Sequence, residues 1–359
     1  HEAFVHRNPL HNWLIFTDLH MATGNLRIII ENKVPFVRGL FEPYAEVLYL
    51  PNAEITPEAV KDADALIVRT RTKCNASLLE DSRCRIVASA TIGLDHVDIP
   101  WCEAHGIAVA NAAGCNAPAV AQYVFASILS LCNRPVSQYT LGIVGVGHVG
   151  KIVERWARQL DMEVVLNDPP RQAAEGGSHW ASLADVAQKC DIITFHTPLD
   201  ATTRHLADAN FLDSLRRSPI IINSSRGPVV DNNALVDAID RGRVLAAVID
   251  TWEGEPHINP ELLRRAAIAT PHIAGYSYEG KVRATRMAVA AVCHALGLPH
   301  IPMEQVVPAG AAKSVNAMSI ISSYDPLVDT AALRRDPSQF EALRDHYNLR
   351  HEVSAGKID

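Results

Sequence analysis

The chain of 359 residues lacks the features that mark a metal-binding, disulfide-bonded or nucleic-acid-binding protein. Its seven cysteines are odd in number, and no two of them stand in Cys-x-x-Cys spacing. This excludes a typical zinc or dithiol redox site and favours reduced thiols in a cytoplasm. Lys and Arg total 33 against 40 Asp and Glu, for a net charge of −7. A protein that binds the phosphates of a nucleic acid normally carries the opposite sign of net charge, so we expect no nucleic-acid partner.

Long apolar runs are also absent. The longest stretch without an acidic or basic residue, 106–133, is interrupted by Asn111, Asn116, Pro118 and Gln122. It therefore favours buried core over a membrane span, and we expect no membrane partner. With 48% hydrophobic and 20% charged residues, the composition is that of a globular chain. At about 150 residues per domain, the length suggests about two to three domains.

The first 20 residues stand apart from the rest. They carry four histidines, at positions 1, 6, 11 and 20, without a basic region followed by a small-residue cleavage site. We interpret residues 1–20 as a leader or a remnant of cloning, and Met21 as a plausible native start. Nothing downstream supplies a supporting carboxylate or cysteine pattern, so we expect no metal site.

From residue 26 onward, short apolar runs alternate with helix-like stretches in two successive series. Strands are expected at 28–30, 46–50, 65–68, 85–88, 107–110, and then at 140–144, 163–166, 192–195, 220–223, 246–249 and 267–270. Helices are expected at 35–41, 57–61, 76–79, 97–105, 117–131, 149–160, 181–189, 233–241, 260–265, 280–296 and, in a charged tail, 339–350. This alternation predicts two α/β units with parallel sheets, followed by a C-terminal appendage.

A glycine-rich loop opens the second unit. Gly145, Gly147 and Gly150 form a G-x-G-x-x-G pattern that follows an expected strand and precedes an expected helix. In a dinucleotide site the first glycine permits the tight turn, the second lets the backbone approach the pyrophosphate, and the third allows close helix–strand packing. The helix N-terminus then offers free N–H groups to the phosphates.

Asp168 ends the next strand, 18 residues after Gly150. A carboxylate there accepts hydrogen bonds from the adenosine ribose and repels a 2′-phosphate, which favours NAD over NADP. Arg171 is the one feature against this preference, because a nearby Arg can hold a 2′-phosphate.

Three polar residues follow successive strands of the second unit: Arg226, Glu255 and His272. Such a set suits the oxidation of a secondary alcohol beside a carboxylate. The His takes the hydroxyl proton, the Glu fixes the imidazole tautomer, and the Arg grips the substrate carboxylate. Their convergence at the carboxyl edge of one sheet predicts an active site.

The stretches 145–150, 223–227, 250–256 and 271–275 resemble the D-isomer-specific 2-hydroxyacid dehydrogenases. The resemblance covers nearly everything from residue 26 to about 296, and in that family the matching Arg226, Glu255 and His272 are catalytic. It implies two doubly wound parallel-sheet domains, a flavodoxin-like substrate domain and an inserted Rossmann NAD domain, plus a small C-terminal dimerisation domain. The implied bounds are 21–116 with 277–298 for substrate, 117–276 for NAD, and 299–359 for dimerisation. Further implied cofactor contacts are His148, Val149, Thr197, Ser224, Ser225, Asp250 and Gly275.

Additional stretches, among them 68–75, 90–98 and the tail from 324 to 347, are similar to one branch of this family that acts on a phosphorylated hydroxyacid as a homodimer. This implies substrate contacts from Thr70, Thr91 and Tyr276. The positive charge of Arg69, Arg71 and Lys73 in the first of these stretches suits a doubly anionic substrate.

Two alternatives remain open at this point. One is another D-2-hydroxyacid dehydrogenase, of the 3-phosphoglycerate or hydroxypyruvate/glyoxylate type, and the other is a dinucleotide-sensing binding protein. Three further polar residues lie in the motif stretches. We interpret His96 and His196 as hydrogen-bonded structural residues, and Cys115, which has no base beside it, as no nucleophile.

Overall fold

The computed structural model describes residues 26–303 and 314–353, so the interpretations of residues 1–20 and Met21 lie outside the described residues. Eleven strands are described within those ranges. They are β1 (Arg27–Glu31), β2 (Glu46–Leu50), β3 (Ala65–Val68), β4 (Ile86–Ser89), β5 (Ala108–Ala110), β6 (Thr140–Val144), β7 (Glu163–Asn167), β8 (Ile192–Phe195), β9 (Ile220–Asn223), β10 (Ala246–Ile249) and β11 (Ile268–Ala269). Each corresponds to a strand expected from the sequence.

Fourteen α-helices accompany these strands in the described ranges. They are α1 (Pro57–Val60), α2 (Ala76–Leu79), α3 (Ile99–Ala104), α4 (Ala117–Leu131), α5 (His148–Gln159), α6 (Pro169–Glu175), α7 (Leu183–Lys189), α8 (Ala209–Ser214), α9 (Asn232–Asp240), α10 (Pro260–Arg265), α11 (Tyr278–Leu296), α12 (Ala317–Ile321), α13 (Pro326–Arg335) and α14 (Phe340–Asp345). The sequence patterns missed α6, α8, α12 and α13.

The strands form two separate parallel sheets. The first has the order β2-β1-β3-β4-β5, which is the flavodoxin-like arrangement. The second has the order β11-β10-β9-β8-β6-β7. A parallel bridge between Leu166 and Trp180 adds a minimal further strand beside β7. The order of the second sheet therefore reverses between β6 and β8, and ligands of doubly wound sheets bind at such a switch point.

The long helices connect the two sheets. Helix α4 is buried along most of its length and packs on α5 in the core of the second sheet. Helix α11, which follows the last strand, returns to the first sheet, where Val289 and Val292 join the core with Ile28 and Ile67. The chain thus leaves the first sheet, builds the second, and comes back. This confirms the two α/β units.

The C-terminal helices pack on the second sheet. Leu333 of α13 and Phe340 of α14 are fully buried in its core, and Thr330 accepts a hydrogen bond from the Ala269 amide on β11 at 3.1 Å. No helix in the described part of the chain has the length and apolar character that crossing a bilayer requires.

One expected helix is absent from the structure, and another is shorter than expected. Residues 35–41 form turns, because Phe36 (φ 60°) and Gly39 (φ 84°) adopt left-handed conformations that interrupt a right-handed helix. Of the helix expected at 339–350, only α14 is present. The described residues after it form no further helix, and Arg350 forms a parallel bridge with Ser277.

Candidate active site

His272 and Glu255 form a close pair. Nδ1 of His272 lies 2.8 Å from Oε2 of Glu255, and the other carboxylate oxygen accepts the Trp252 amide at 2.7 Å. Burial raises the pKa of Glu255, but the His272 charge and these hydrogen bonds outweigh it and bring the pKa below its ordinary value. Because an ionised Glu255 accepts from Nδ1–H, the neutral imidazole keeps Nε2 free to accept a proton.

Asp250 fixes the backbone around His272. Its carboxylate is buried and accepts hydrogen bonds from the Thr270 hydroxyl and from the amides of Ile273 and Ala274, at 2.7, 2.8 and 3.0 Å. Its carbonyl accepts the His272 amide at 2.8 Å, and His272 itself has a φ of 57°. An imidazole on so tightly bonded a turn is held in one orientation. Burial raises the pKa of Asp250 despite these contacts.

Arg226 follows β9 and reaches across to the first α/β unit. Its Nη1 donates to the Ser225 carbonyl at 2.8 Å, and its Nη2 lies 3.6 Å from the Asp95 carboxylate. A Cβ added at Gly93 would be 2.6 Å from Nη2. The guanidinium therefore lies at the cleft between the two sheets, where ligands of such folds bind.

The glycine-rich loop has the shape that the sequence predicts. Gly145 (φ 89°) passes so close to His196 that a Cβ would be 2.7 Å from its carbonyl, and a Cβ on Gly150 would be 2.2 Å from the carbonyl oxygen of Gly145. Around Gly147, by contrast, nothing lies within 4 Å of an added Cβ. The open side of the loop leaves room for a pyrophosphate beside the N-terminus of α5, where His148 is exposed and Val149 half-buried.

Asp168 and Arg171 are both engaged by the protein. The Asp168 carboxylate accepts the amides of Val146 and Arg171 at 2.8 and 3.0 Å, which ties the strand end to the glycine-rich loop. The Arg171 guanidinium donates to Glu175 and to the Val146 carbonyl, each at 2.8 Å, and stacks over Trp180. A guanidinium with these partners is poorly placed to recruit a 2′-phosphate, so the geometry favours NAD.

Two buried hydroxyls beside this loop have no partner among the described residues. They are Oγ1 of Thr197 and Oγ of Ser224, which follow β8 and β9. A buried hydroxyl is costly to leave unpaired, so these groups, with the open Gly147 cradle, fit a dinucleotide. Ser225 differs, because its hydroxyl already donates to Asn223 at 2.9 Å. Gly275 packs directly against the Asn116 side chain. A Cβ added at Gly275 would lie 2.0 Å from Nδ2 of Asn116, so the position has no room for a side chain.

The three candidate substrate residues come from the edges of both units. Thr70 is exposed after β3, and the Thr91 hydroxyl lies 2.7 Å from that of Ser89 after β4. Tyr276 follows the His272 turn and packs edge-on against Tyr347. The structure thus places two of these residues at the carboxyl edge of the first sheet and the third directly after the His272 turn.

His96, His196 and Cys115, the other polar residues of the motif stretches, have structural surroundings. Nε2 of His196 lies 2.9 Å from the Thr194 hydroxyl, and burial lowers the pKa of His196 to about 3, so the ring stays neutral. His96 is weakly bonded at best: its Nε2 is 3.5 Å from Ser89, and its buried Nδ1 has no partner in the described chain. Burial raises the pKa of Cys115 to about 11, which keeps its thiol protonated.

Arg350 is a residue of the site that the sequence patterns missed. It donates to the carbonyls of Ile273 and Ala274, directly after His272, and to Gln122 on α4. Close by, Ser277 donates at 2.7 Å to Glu352, which is also paired with Arg283. The segment around Arg350 therefore holds the His272 turn, and no local sequence signal connects positions more than 70 residues apart.

A dinucleotide cradle and an oriented imidazole share one cleft with a guanidinium that can hold a carboxylate. This arrangement defines a dehydrogenase that oxidises 2-hydroxy acids with a nicotinamide cofactor as the hydride acceptor.

The chain belongs to the D-isomer specific 2-hydroxyacid dehydrogenase family. The model of that family's NAD-binding domain matches residues 121–274. The chain is accordingly an NAD-dependent 2-hydroxyacid dehydrogenase.

Curated relatives match along almost the whole chain. An erythronate-4-phosphate dehydrogenase of Bacteroides thetaiotaomicron is 46% identical over 345 residues, covering 93% of this chain and 99% of the relative. Enzymes of the same name from Porphyromonas gingivalis and Escherichia coli O157:H7 are each 39% identical, over 92% of this chain and 94% and 93% of their own lengths.

Solved structures support the fold at lower identity. A D-lactate dehydrogenase of Aquifex aeolicus, complexed with NAD and lactic acid, superposes with a TM-score of 0.65 at 22% identity, over 76% of this chain and 96% of its own. A D-mandelate dehydrogenase of Rhodotorula graminis gives 0.67 at 23% identity, over 79% and 99%.

Proposed function

We propose that the protein oxidises 4-phospho-D-erythronate at C2 to 2-oxo-3-hydroxy-4-phosphobutanoate, a step of pyridoxal 5′-phosphate biosynthesis. The observation that carries this proposal is the extent of the match to relatives of that activity, 46% identity over 93% of the chain. It is supported by a cleft in which His272, Glu255 and Arg226 are arranged for hydroxyacid oxidation.

In the proposed reaction, Nε2 of His272 accepts the proton of the C2 hydroxyl. Glu255 holds the imidazole through Nδ1 and stabilises the imidazolium that forms. Arg226 holds the substrate carboxylate with paired N–H groups. Bound NAD supplies the acceptor for the hydride that leaves C2 as the C–H bond breaks and the carbonyl forms. The Gly145–Gly150 loop, Thr197 and Ser224 would hold the dinucleotide.

The assignment is tested by comparing kcat/KM on 4-phospho-D-erythronate with that on 3-phosphoglycerate, glycerate and glyoxylate. We expect the four-carbon phosphate ester to be preferred. Preference for 3-phosphoglycerate would overturn the substrate assignment but leave the reaction class intact. A His272→Ala protein that retained full turnover would show that the proposed base is wrong.

We further propose that the protein works as a cytoplasmic homodimer. All seven cysteines are free thiols, which suits a reducing compartment. The C-terminal helices expose large apolar side chains, including Met318 at 73% and Val328 at 65% of their surface, and such a patch suits a subunit contact. Light scattering on the wild type and on a Met318→Glu/Val328→Glu protein tests the dimer. A wild type of monomeric mass would refute it.

The domain bounds remain a proposal as well. Helix α11 packs on the first sheet, which supports grouping 21–116 with 277–298 around the substrate and 117–276 around NAD. Limited proteolysis with and without NAD tests this division. We expect NAD to protect sites within 117–276 most strongly.

A further inference from the structure

Three cations from different parts of the chain act on the hydroxyl of Tyr276. Arg69 follows β3, Lys281 lies on α11, and Arg344 lies on α14. Burial alone would raise the pKa of Tyr276, but the charges of Lys281, Arg344 and Arg69 outweigh it and bring the pKa below its ordinary value. The phenol is therefore a stronger hydrogen-bond donor than an unperturbed tyrosine. We refer to Tyr276 and these three cations as the cationic cluster.

The charge of this cluster is poorly neutralised by the protein. Lys281 stacks over the Tyr276 ring, with Nζ 3.9 Å from the ring centre, and forms no ion pair with a described carboxylate. The Arg69 side chain likewise has none among the described residues. Arg344 shares Glu341 with Arg71.

The Arg344 guanidinium also has one N–H group that donates no hydrogen bond to a described residue. Its Nε is buried and has no hydrogen-bond partner within the described ranges. Partly buried cations without counterions are costly unless something compensates them. A buried donor, a strong phenol donor and two unpaired cations together point to a small anion with several acceptor oxygens. A phosphate group, with three acceptor oxygens and about two negative charges, has that chemistry.

The cluster lies beside the reacting centre and is separate from the carboxylate clamp. Tyr276 is four residues after His272, and the charge of Arg344 lowers the pKa of Glu255, although burial is the larger influence and acts in the opposite direction. Arg226, in contrast, follows β9 and lies against Asp95. The two anionic ends of a phosphorylated hydroxyacid can therefore be held by different residues.

We propose that Arg344 and Lys281, with Tyr276 and Arg69, bind the phosphate group of the substrate, so that the C-terminal helix α14 contributes directly to substrate specificity. This inference rests on the proposed function. It adds that recognition of the phosphate depends on a segment far in sequence from both the nucleotide loop and the His272 turn.

The test uses Arg344→Gln and Lys281→Gln, with Arg335→Gln as the control. Arg335 ends α13 and is exposed, so its replacement removes one positive charge from the same region without touching the cluster. Two measurements are made on the full chain. The first is kcat/KM on 4-phospho-D-erythronate and on unphosphorylated D-erythronate. The second is the affinity for inorganic phosphate, from calorimetry or thermal stabilisation, which requires no turnover.

We expect each cluster variant to lose about 10- to 100-fold in kcat/KM on the phosphorylated substrate, mainly through KM, because a charge-assisted hydrogen bond is removed. Turnover of D-erythronate should change by less than about threefold, and phosphate should bind about 10-fold more weakly. The control should match the wild type in kcat/KM on both substrates and in phosphate affinity. Equal losses on both substrates would show a structural role and overturn the inference, as would unchanged phosphate affinity.

Failure of the proposed function gives a different pattern. A wild type that binds phosphate through Arg344 and Lys281 but does not oxidise 4-phospho-D-erythronate would refute the substrate assignment and leave the anion site standing. A wild type that oxidises this substrate while both variants remain fully active would refute only the proposal that the cationic cluster binds the substrate phosphate.

Discussion

The hydrogen bonds of Glu255 predict a large catalytic defect from the smallest change available, Glu255→Gln. The carboxylate serves two donors, Nδ1–H of His272 at 2.8 Å and the Trp252 amide at 2.7 Å. A glutamine has one carbonyl oxygen and can accept at only one of these positions. Because the Trp252 amide cannot turn away, the new NH₂ group faces His272. The imidazole then carries its proton on Nε2 and cannot accept one from the substrate.

The expected loss in kcat is about 10³- to 10⁴-fold, the scale seen when an equivalent carboxylate–imidazole contact is replaced by an amide. That corresponds to about 4–5.5 kcal/mol of transition-state stabilisation. KM and NAD affinity should change little, since neither depends on the tautomer. The assay is the initial rate of NADH formation at saturating substrate, with NAD affinity measured separately by fluorescence titration.

The chain provides a closely matched control in Glu253. This residue pairs with His205 at 2.7 Å and accepts the Asn232 amide at 3.0 Å. The two carboxylates are also similarly exposed, at 24% and 21%. Glu253→Gln should therefore lose comparable stability while keeping kcat within about threefold. Equal kcat for the two variants would refute the reasoning, because the defect would then come from packing rather than from the tautomer.

The lowered pKa of Glu255 also fixes a pH dependence of stability. A carboxyl whose pKa is lower in the folded than in the unfolded state stabilises the fold above the unfolded-state pKa, and this contribution is lost as the pH falls through the folded-state pKa. The wild type should thus exceed Glu255→Gln in unfolding free energy by the largest amount at neutral pH. This difference should shrink below about pH 4. Urea unfolding at several pH values measures it. A difference that grew in acid would contradict the direction of the shift.

Three further outcomes are expected. Gly150→Ala places a Cβ 2.2 Å from the Gly145 carbonyl oxygen, so it should cost about 1–3 kcal/mol in urea unfolding and weaken NAD binding; an unchanged NAD affinity would argue against the close packing. Arg350→Gln removes donors to the carbonyls of Ile273 and Ala274, so kcat should fall about 10-fold or more while the mass in solution stays that of the wild type; wild-type kcat would show that the tail does not hold the turn. Burial raises the pKa of every cysteine thiol, so a thiol reagent at neutral pH should label the native protein slowly and the urea-unfolded protein completely; rapid native labelling would contradict this.

The sheets were predictable because their determinants are local. Strands buried on both faces of a parallel sheet appear as short apolar runs, and all eleven described strands fall where such runs occur. The glycine-rich loop was predictable for the same reason, since its steric requirements act within six residues. Gly145 and Gly150 approach backbone that has no room for a Cβ, which is the role the pattern assigns to them.

The expected helix at 35–41 fails for a reason that apolar spacing does not record. Val37 and Phe41 are buried, as helical spacing suggests, but their burial is achieved by turns with left-handed residues at Phe36 and Gly39. Apolar periodicity reports which side chains are buried. It does not determine the backbone path over a segment of only seven residues.

The contribution of the tail could not be predicted because it depends on contacts between distant segments. Arg350 bonds to the carbonyl of Ile273, 77 positions earlier, and the charge of Arg344 acts on Tyr276 and Glu255. These contacts couple the packing of the C-terminal segment to the orientation of the base and to the electrostatics around it. A substitution in α14 should therefore weaken the use of the phosphorylated substrate even where it leaves the nucleotide loop untouched. The proposed phosphate site thus draws on a segment in which apolar spacing alone predicts only a charged helix.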